Sequence, residues 1–284
     1  STPSPPPPPA PPLTPAPSVS LSVRECNQSL SPDGCLVATT TLTIDWSSAA
    51  SNLSHYSVEC ERDGTACDSF NLASTTATST TYIAASGNAA YIFKVKAAAA
   101  DGQESIVQTQ TVEVAVRPVV INEIAWTGTS AGRAHDEWME LYNPTNKTIS
   151  LANWTLRSIT GSSPYINLSG AIPPKEFFLL ERTDDATISD IAADQIYTGA
   201  LVNSGAQLQL AYASTTIDKT PALVSCGGGW CHGNTNNYAT MERYDPLASG
   251  TAVNNWASHQ GTVSNGKNAD SAAIQGTPRK RNNI

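Results

Sequence analysis

Three pairs of cysteines, Cys26/Cys35, Cys60/Cys67 and Cys226/Cys231, are the residues of this chain best spaced for chemistry, each pair being local in sequence. Such spacing suits a disulfide that staples a turn or a strand pair, and disulfides imply an oxidising compartment. The other reading is six buried thiols in a reduced protein. The last pair lies in Cys226-Gly-Gly-Gly-Trp-Cys231-His232. A haem attachment sequence is Cys-x-x-Cys-His, so the spacing is too long, and no second axial ligand is evident. As a zinc site it offers two thiolates and His232 without a fourth ligand nearby. The expectation is a disulfide-closed, glycine-rich surface loop.

A second cluster, His135-Asp136-Glu137-Trp138-Met139-Glu140, places acidic groups beside an imidazole. On a strand, alternation sends Trp138 and Glu140 to one face and Glu137 and Met139 to the other, which splits the cluster. Three readings follow: structural carboxylates, a calcium site using Asp136 and Glu137, or catalysis. The structural one is favoured, since oxygen ligands for a hard cation need several converging groups. The four histidines, His55, His135, His232 and His259, are scattered, and Asp184-Asp185 reads as a solvated doublet. There is no Gly-x-Ser-x-Gly elbow, phosphate-binding Gly-Lys-Ser/Thr loop or His-Glu-x-x-His. Neither a catalytic residue nor a cofactor is expected.

The elements that must position these residues are short strands. The chain has 284 residues, enough for two cores, with 14% charged residues and a formal charge of −8. Nothing supplies the basic stripe that nucleic acid requires. No apolar stretch is long enough to span a bilayer. Asn-x-Ser/Thr sequons occur at Asn27, Asn52, Asn146, Asn153 and Asn167, and Ser/Thr clusters could carry O-linked sugars. Residues 1–17, STPSPPPPPAPPLTPAP, predict an extended polyproline arm, either a stiff stalk or a partner-binding segment. If the chain is exported, Ser1 is expected to follow a processing site.

From Val19 to Val116, apolar and polar residues alternate in runs such as Leu42-Thr-Ile-Asp-Trp46 and Tyr91-Ile-Phe-Lys-Val-Lys96, punctuated by Asp-Gly turns. These runs, with His55-Tyr-Ser-Val-Glu59 and Ala100-Asp-Gly102, resemble a fibronectin type III module. The resemblance implies a β-sandwich with Trp46 and Tyr91 in the core. The pairs Cys26/Cys35 and Cys60/Cys67 depart from that family and read as reinforcement.

Arg117-Pro118 breaks the pattern, and new strands follow. The strings VVINEIAW, DEWMELYNPTNKTISLANWTL, AIPPKEFFLLER, LVNSGAQLQL, MERYD, NNWASHQG and GTPRKRN, in this order, resemble a bacterial lamin-tail domain. That resemblance implies an immunoglobulin-like sandwich on a secreted or surface protein, with Trp126, Trp138, Glu140, Asn143 and Trp154 holding the fold.

The expectation is therefore an all-β chain of two tandem immunoglobulin-like sandwiches: an arm over 1–17, a fibronectin-like module over 18–116 and a lamin-tail-like module over 117–284. Its expected role is non-catalytic, extracellular or at a bacterial cell surface, in structure or adhesion. Its expected partners are other copies or surface components, with self-assembly into a fibre or layer as one form of that role. Leu13 to Val19 would then bear the contact of the arm. The alternative is an accessory glycan- or nucleic-acid-binding module of a secreted hydrolase or nuclease, using exposed aromatics from among Trp126, Trp230 and Tyr244.

Overall fold

The computed structural model describes residues 15–84, 88–261, 263–282 and 284. Among them there is no α-helix; strands are joined by turns and four short 3-10 segments. The proline-rich residues 1–14, including Leu13, lie outside the described residues. The chain divides into two compact units, the first made of Ser1–Asn27, Thr41–Ala84 and Ala89–Val112, the second of Gln28–Thr40, Ala85–Asn88 and Glu113–Ile284.

In the first unit, β1 (Ser20–Val23), β3 (Thr41–Ser47) and β6 (Ser79–Ile83) form one antiparallel sheet in the order β1-β3-β6. β4 (Leu53–Arg62), β5 (Thr65–Thr75), β7 (Ala89–Ala99) and β8 (Gln108–Val114) form another, in the order β8-β7-β4-β5. The period-two pattern sets the inward faces: on β7, Ala89, Tyr91, Phe93, Val95, Ala97 and Ala99 are buried and the residues between them are half-exposed. Trp46 and Tyr91 are buried as the fibronectin resemblance implies. Edge-on aromatic contacts knit this core, Trp46 against Tyr56 and Tyr82 against Phe70, Tyr91 and Phe93. The disulfide Cys60–Cys67 ties β4 to β5. Val19 is buried in its own unit. It is therefore not available as the bearing residue of a free arm, because its side chain already fills a core position.

The second unit is also a sandwich. A six-stranded sheet has the order β16-β15-β10-β9-β19-β20, with β9 (Val120–Ala125), β10 (Trp138–Tyr142), β15 (Phe177–Arg182), β16 (Gln195–Tyr197), β19 (Met241–Arg243) and β20 (Trp256–Ser258). It faces a four-stranded sheet, β13-β12-β17-β18, of β12 (Trp154–Ser158), β13 (Tyr165–Asn167), β17 (Leu208–Tyr212) and β18 (Thr215–Lys219). Two short strands, β11 (Ile149–Ser150) and β14 (Ala171–Ile172), pair beside them. Ile121, Ile124, Met139, Leu141, Trp154, Leu156, Leu180, Leu210, Met241 and Trp256 form the core.

A single cut at residue 117 does not describe this unit. Gln28–Thr40 belongs to it: Leu30 and Leu36 enter its core, and β2 (Leu36–Val37) pairs in parallel with Glu113 and Val114 of β8. Asp33 accepts a hydrogen bond from the Thr148 N–H, and the Leu30 carbonyl accepts one from Ser150. Local strand propensity carries no sign of such a long-range exchange.

Candidate functional site

β9 departs from simple alternation. Ile121, Ile124 and Trp126 point into the core while Asn122 and Glu123 both point out of it. A bulge between Glu140 and Leu141 lets two residues of β9 turn to the same side, which brings the Asn122 side chain to within 2.9 Å of Glu140. Every residue of β9 is nevertheless buried, so the outer face of the six-stranded sheet is covered as well.

Two rows of side chains run across that outer face. One holds Glu181, Trp138 and Ala125; the next holds Leu179, Glu140, Glu123 and Glu242, each beside its neighbour in the ladder. Three glutamates on adjacent strands, all fully buried, thus stand side by side. Like charges directly opposite repel, and burying a carboxylate is costly without donors.

The donors come from the C-terminal segment Gly276–Asn282. Thr277 donates its N–H to Glu123 Oε1 (2.9 Å) and its hydroxyl lies 3.0 Å from Glu242 Oε1. Arg279 donates its N–H to Glu140 Oε2 (2.5 Å) and pairs its guanidinium with Asp194. Asn282 donates to the carbonyls of Asn122 and Arg243. From below, Thr240 Oγ1 donates to Glu123 at 2.6 Å, and His259 is hydrogen-bonded to Glu242 (2.7 Å) and to Ser264. Gly276 permits the close pass: a Cβ there would sit 2.6 Å from Glu123 Oε1 and 2.9 Å from the Trp138 ring. The segment is a strap tied down by the carboxylate row.

Burial, then the adjacent Glu242 and Glu140, push the Glu123 carboxyl well above the usual range. Burial raises Glu140 to about 8 against the pull of its Arg279 and Asn122 donors. Glu181, which accepts from the N–H groups of Thr187 and Ile188, is likewise raised by burial to about 8. These groups bind protons more tightly folded than unfolded. Their stabilisation is complete below the unfolded pKa near 4.5 and is lost as pH rises through about 8. The second unit should therefore melt at least ~5 °C higher at pH 5 than at pH 8, measured by near-UV circular dichroism. An equal or higher midpoint at pH 8 would contradict the raised carboxyls of Glu123, Glu140 and Glu181.

The acidic cluster singled out in the sequence is dispersed. Trp138 and Glu140 share the outer face, and Met139 lies in the core. Glu137 points elsewhere, one oxygen accepting from the Leu201 N–H at 2.7 Å and the other facing Arg182 at 3.2 Å. Burial raises its carboxyl to about 7. With both oxygens engaged by protein donors, Glu137 is a poor calcium ligand, and burial also raises Asp136. Among the described residues no three His, Cys, Asp or Glu side chains converge as a metal site would need. Asn143 bridges turns: its amide donates to the carbonyls of Lys147, Ile172 and Pro173, and its oxygen accepts from Thr145.

Cys226 and Cys231 are joined in a disulfide, and Cys26 and Cys35 are disulfide-bonded too. Gly205 (φ +124°) and Gly229 make the loop's close approach possible, since a Cβ on Gly205 would meet Gly229 Cα at 2.7 Å. Trp230 is half-buried: it stacks on Trp126 (centroids 5.8 Å apart, 13° between planes) and donates its indole N–H to the Val202 carbonyl. Burial lowers the His232 pKa, while its carbonyl accepts from Trp126 Nε1. The loop therefore docks inward. Replacing both Cys226 and Cys231 with serine should cost about 2 kcal/mol in urea unfolding and red-shift tryptophan emission. An unshifted spectrum would show that the stack does not need the disulfide.

Tyr244, by contrast, is 51% exposed and stands on an open groove of about 350 Å³ in the second unit. Tyr142 and Phe177, cross-strand partners at the end of β10 and β15, form one wall with ring centroids 4.9 Å apart. Lys175 and Arg281 line the same groove.

Sequence reasoning missed Glu123, Glu242, Glu181, His259, Thr277 and the buried pair Asp218–Arg243, joined by N–H···O contacts of 2.6 and 3.4 Å. One signal was present: single acidic residues inside apolar strands, as in Ile-Asn-Glu-Ile and Met-Glu-Arg.

The fold defines an all-β protein whose strands are arranged in packed, mainly antiparallel sheets. Over residues 113–226 the chain matches the family model of the Lamin Tail Domain. The match starts at the first residue of the second unit's main segment and stops at Cys226, so β19, β20 and the strap lie beyond it. Among solved structures the chain is similar to the crystal structure of chicken CNTN1 FN1-FN3 domains, at 12% identity and a TM-score of 0.23, covering 71% of this chain. The alignment spans 62% of that chain. No curated protein matches.

Proposed function

We propose that this chain is a non-catalytic extracellular structural or adhesion module, and that copies of it assemble into a surface fibre or layer. The observation that carries this reading is the use made of the buried acidic groups. Glu123, Glu137, Glu140, Glu181 and Glu242 are engaged by N–H, O–H or imidazole groups of their own fold. Disulfides suit an oxidising compartment, and no helix among the described residues is long and apolar enough to cross a membrane.

What remains for interaction is surface and strand edge. β6, at one end of its sheet, reads Ser-Thr-Thr-Tyr-Ile without lysine, proline or an acid, and Ile83 is 69% exposed. Natural edges usually carry such guards, so an unguarded one is suited to accept a strand from another copy. Negative-stain microscopy and light scattering of the non-reduced protein should show ordered assemblies, and Thr81→Lys with Ile83→Lys should disperse them. Monomers at high concentration in the unsubstituted protein would refute assembly.

A further inference from the structure

The groove beside Tyr244 carries a second inference, which rests on the adhesion reading and gives it a ligand. Its lining joins two kinds of group. Tyr142, Phe177 and Tyr244 offer aromatic surface, and Lys175, Arg243 and Arg281 are cations; no carboxylate is among the lining residues. In a chain with 24 acidic and 16 basic residues, that is a local reversal of charge. Arg243 is spoken for, since its guanidinium is buried against Asp218. Lys175 and Arg281 are exposed at the rim, and Lys175 donates to the Pro144 carbonyl at 2.5 Å, with no ion pair to an acid among the described residues.

Lys175 is also held in an unusual way. It is the third residue of the turn Pro173-Pro174-Lys175-Glu176, closed by the Glu176 N–H on the Pro173 carbonyl, and its φ is +60°. Glycine or asparagine is the ordinary occupant of that left-handed position, and a long side chain there is strained. Strain of this kind persists where a side chain is needed in one place. Arg281 is placed by the strap: its neighbours Arg279 and Asn282 are anchored to Glu140 and to the carbonyls of Asn122 and Arg243. Two cations are thus fixed beside a wall of aromatic rings.

We propose that this groove binds an anionic saccharide, its acidic substituent held by Lys175 and Arg281 and a sugar ring laid against Tyr244 and the Tyr142–Phe177 pair. Aromatic faces meet the apolar C–H face of a sugar, and arginine and lysine meet a carboxylate or sulfate. The volume suits one or two rings, at the lower end of small-ligand sites. A nucleic acid is disfavoured because two exposed cations neutralise few phosphates.

The test is calorimetric titration of the full chain with tetragalacturonate, a heparin tetrasaccharide, cellotetraose and a thymidine decanucleotide. Binding of either acidic sugar, weakened by salt and absent for cellotetraose, supports the site; binding of tetragalacturonate shows that a carboxylate suffices, and binding of the heparin tetrasaccharide alone that sulfate is needed. Lys175→Gly, with melting not lowered because glycine relieves the strained turn, and Arg281→Gln, with melting unchanged, should each weaken it about tenfold, and Tyr244→Ala by a similar factor. Failure of both acidic sugars, equal binding of the neutral one, tighter binding of the decanucleotide, or indifference to these substitutions would overturn it. Assembly is scored separately by microscopy: assemblies without sugar binding refute the groove alone, and sugar binding by a dispersed protein refutes the assembly alone.

Discussion

Arg243→Ala should destabilise the second unit by about 3–5 kcal/mol, a larger loss than any surface substitution in the chain. The guanidinium is fully buried and nearly saturated. Nη1 donates to Asp218 Oδ2 (2.6 Å) and to the Ile121 carbonyl (3.0 Å), Nη2 to the Ala248 carbonyl (2.7 Å), and Nε to that of Asp245 (3.2 Å). Its carbon lies 5.6 Å from the Trp256 ring centre. Asp218 in turn accepts the Ile121 N–H at 3.0 Å, so β18 of one sheet is fastened to β9 of the other. Alanine would leave the Asp218 carboxylate buried without its counter-charge and take a donor from the carbonyls of Ile121, Ala248 and Asp245, the last of which keeps the Asn255 amide at 2.9 Å. Urea unfolding followed by tryptophan fluorescence measures the loss. The double variant Asp218→Leu with Arg243→Met should recover part of it, because removing both charges spares the uncompensated burial. A single variant within about 1 kcal/mol of the parent would show the pair to be dispensable.

Deleting residues 276–284 should have the second large effect. It removes the N–H and O–H donors that Thr277 and Arg279 give to Glu123, Glu242 and Glu140, at ~1–3 kcal/mol for each buried acceptor left unmet. It also uncovers the outer face of the sheet, where Gly276 lies against Trp138. Admitting water returns Glu123 and Glu140 toward the ordinary carboxylate range. The midpoint should fall at pH 5 by more than at pH 8, so the preference of the intact chain for acidic pH should largely vanish. Melting curves across that range read both effects. A truncated chain that keeps the full pH dependence would show that burial by the strap is not what raises these groups.

The groove and the strap are linked through Arg281, so the truncated chain should also lose acidic-sugar binding. The substitutions at Lys175 and Tyr244 separate that loss from a loss of fold, since neither residue contributes to the buried network.

Much of this molecule was legible from residue order. Alternation along β3 and β7 determined which faces are buried, because a strand sends successive side chains to opposite sides; Trp46, Tyr91, Trp138 and Trp154 are buried accordingly. Local cysteine spacing foretold the Cys60–Cys67 and Cys226–Cys231 bridges, since a short loop brings its own ends together. Asn143 was legible in part: its bonds with Thr145 and Lys147 are local, whereas those its amide gives to Ile172 and Pro173 reach across the fold.

The remainder was decided by contacts between residues far apart in the chain. Glu140, Glu123 and Glu242 become neighbours only when β10, β9 and β19 pair, and a bulge rather than alternation sets Asn122 beside them. Thr277 reaches Glu123 across 154 positions of sequence. Trp230 looked free at the end of its run of glycines, yet its stacking on Trp126 depends on where Gly205 lets the loop settle. Gln28–Thr40 leaves one unit to fill the core of the other. Periodicity records which way a side chain faces relative to its own strand; which strand, strap or loop then covers that face is a property of tertiary pairing, and here it turned scattered acids into a buried row and a tail into a strap.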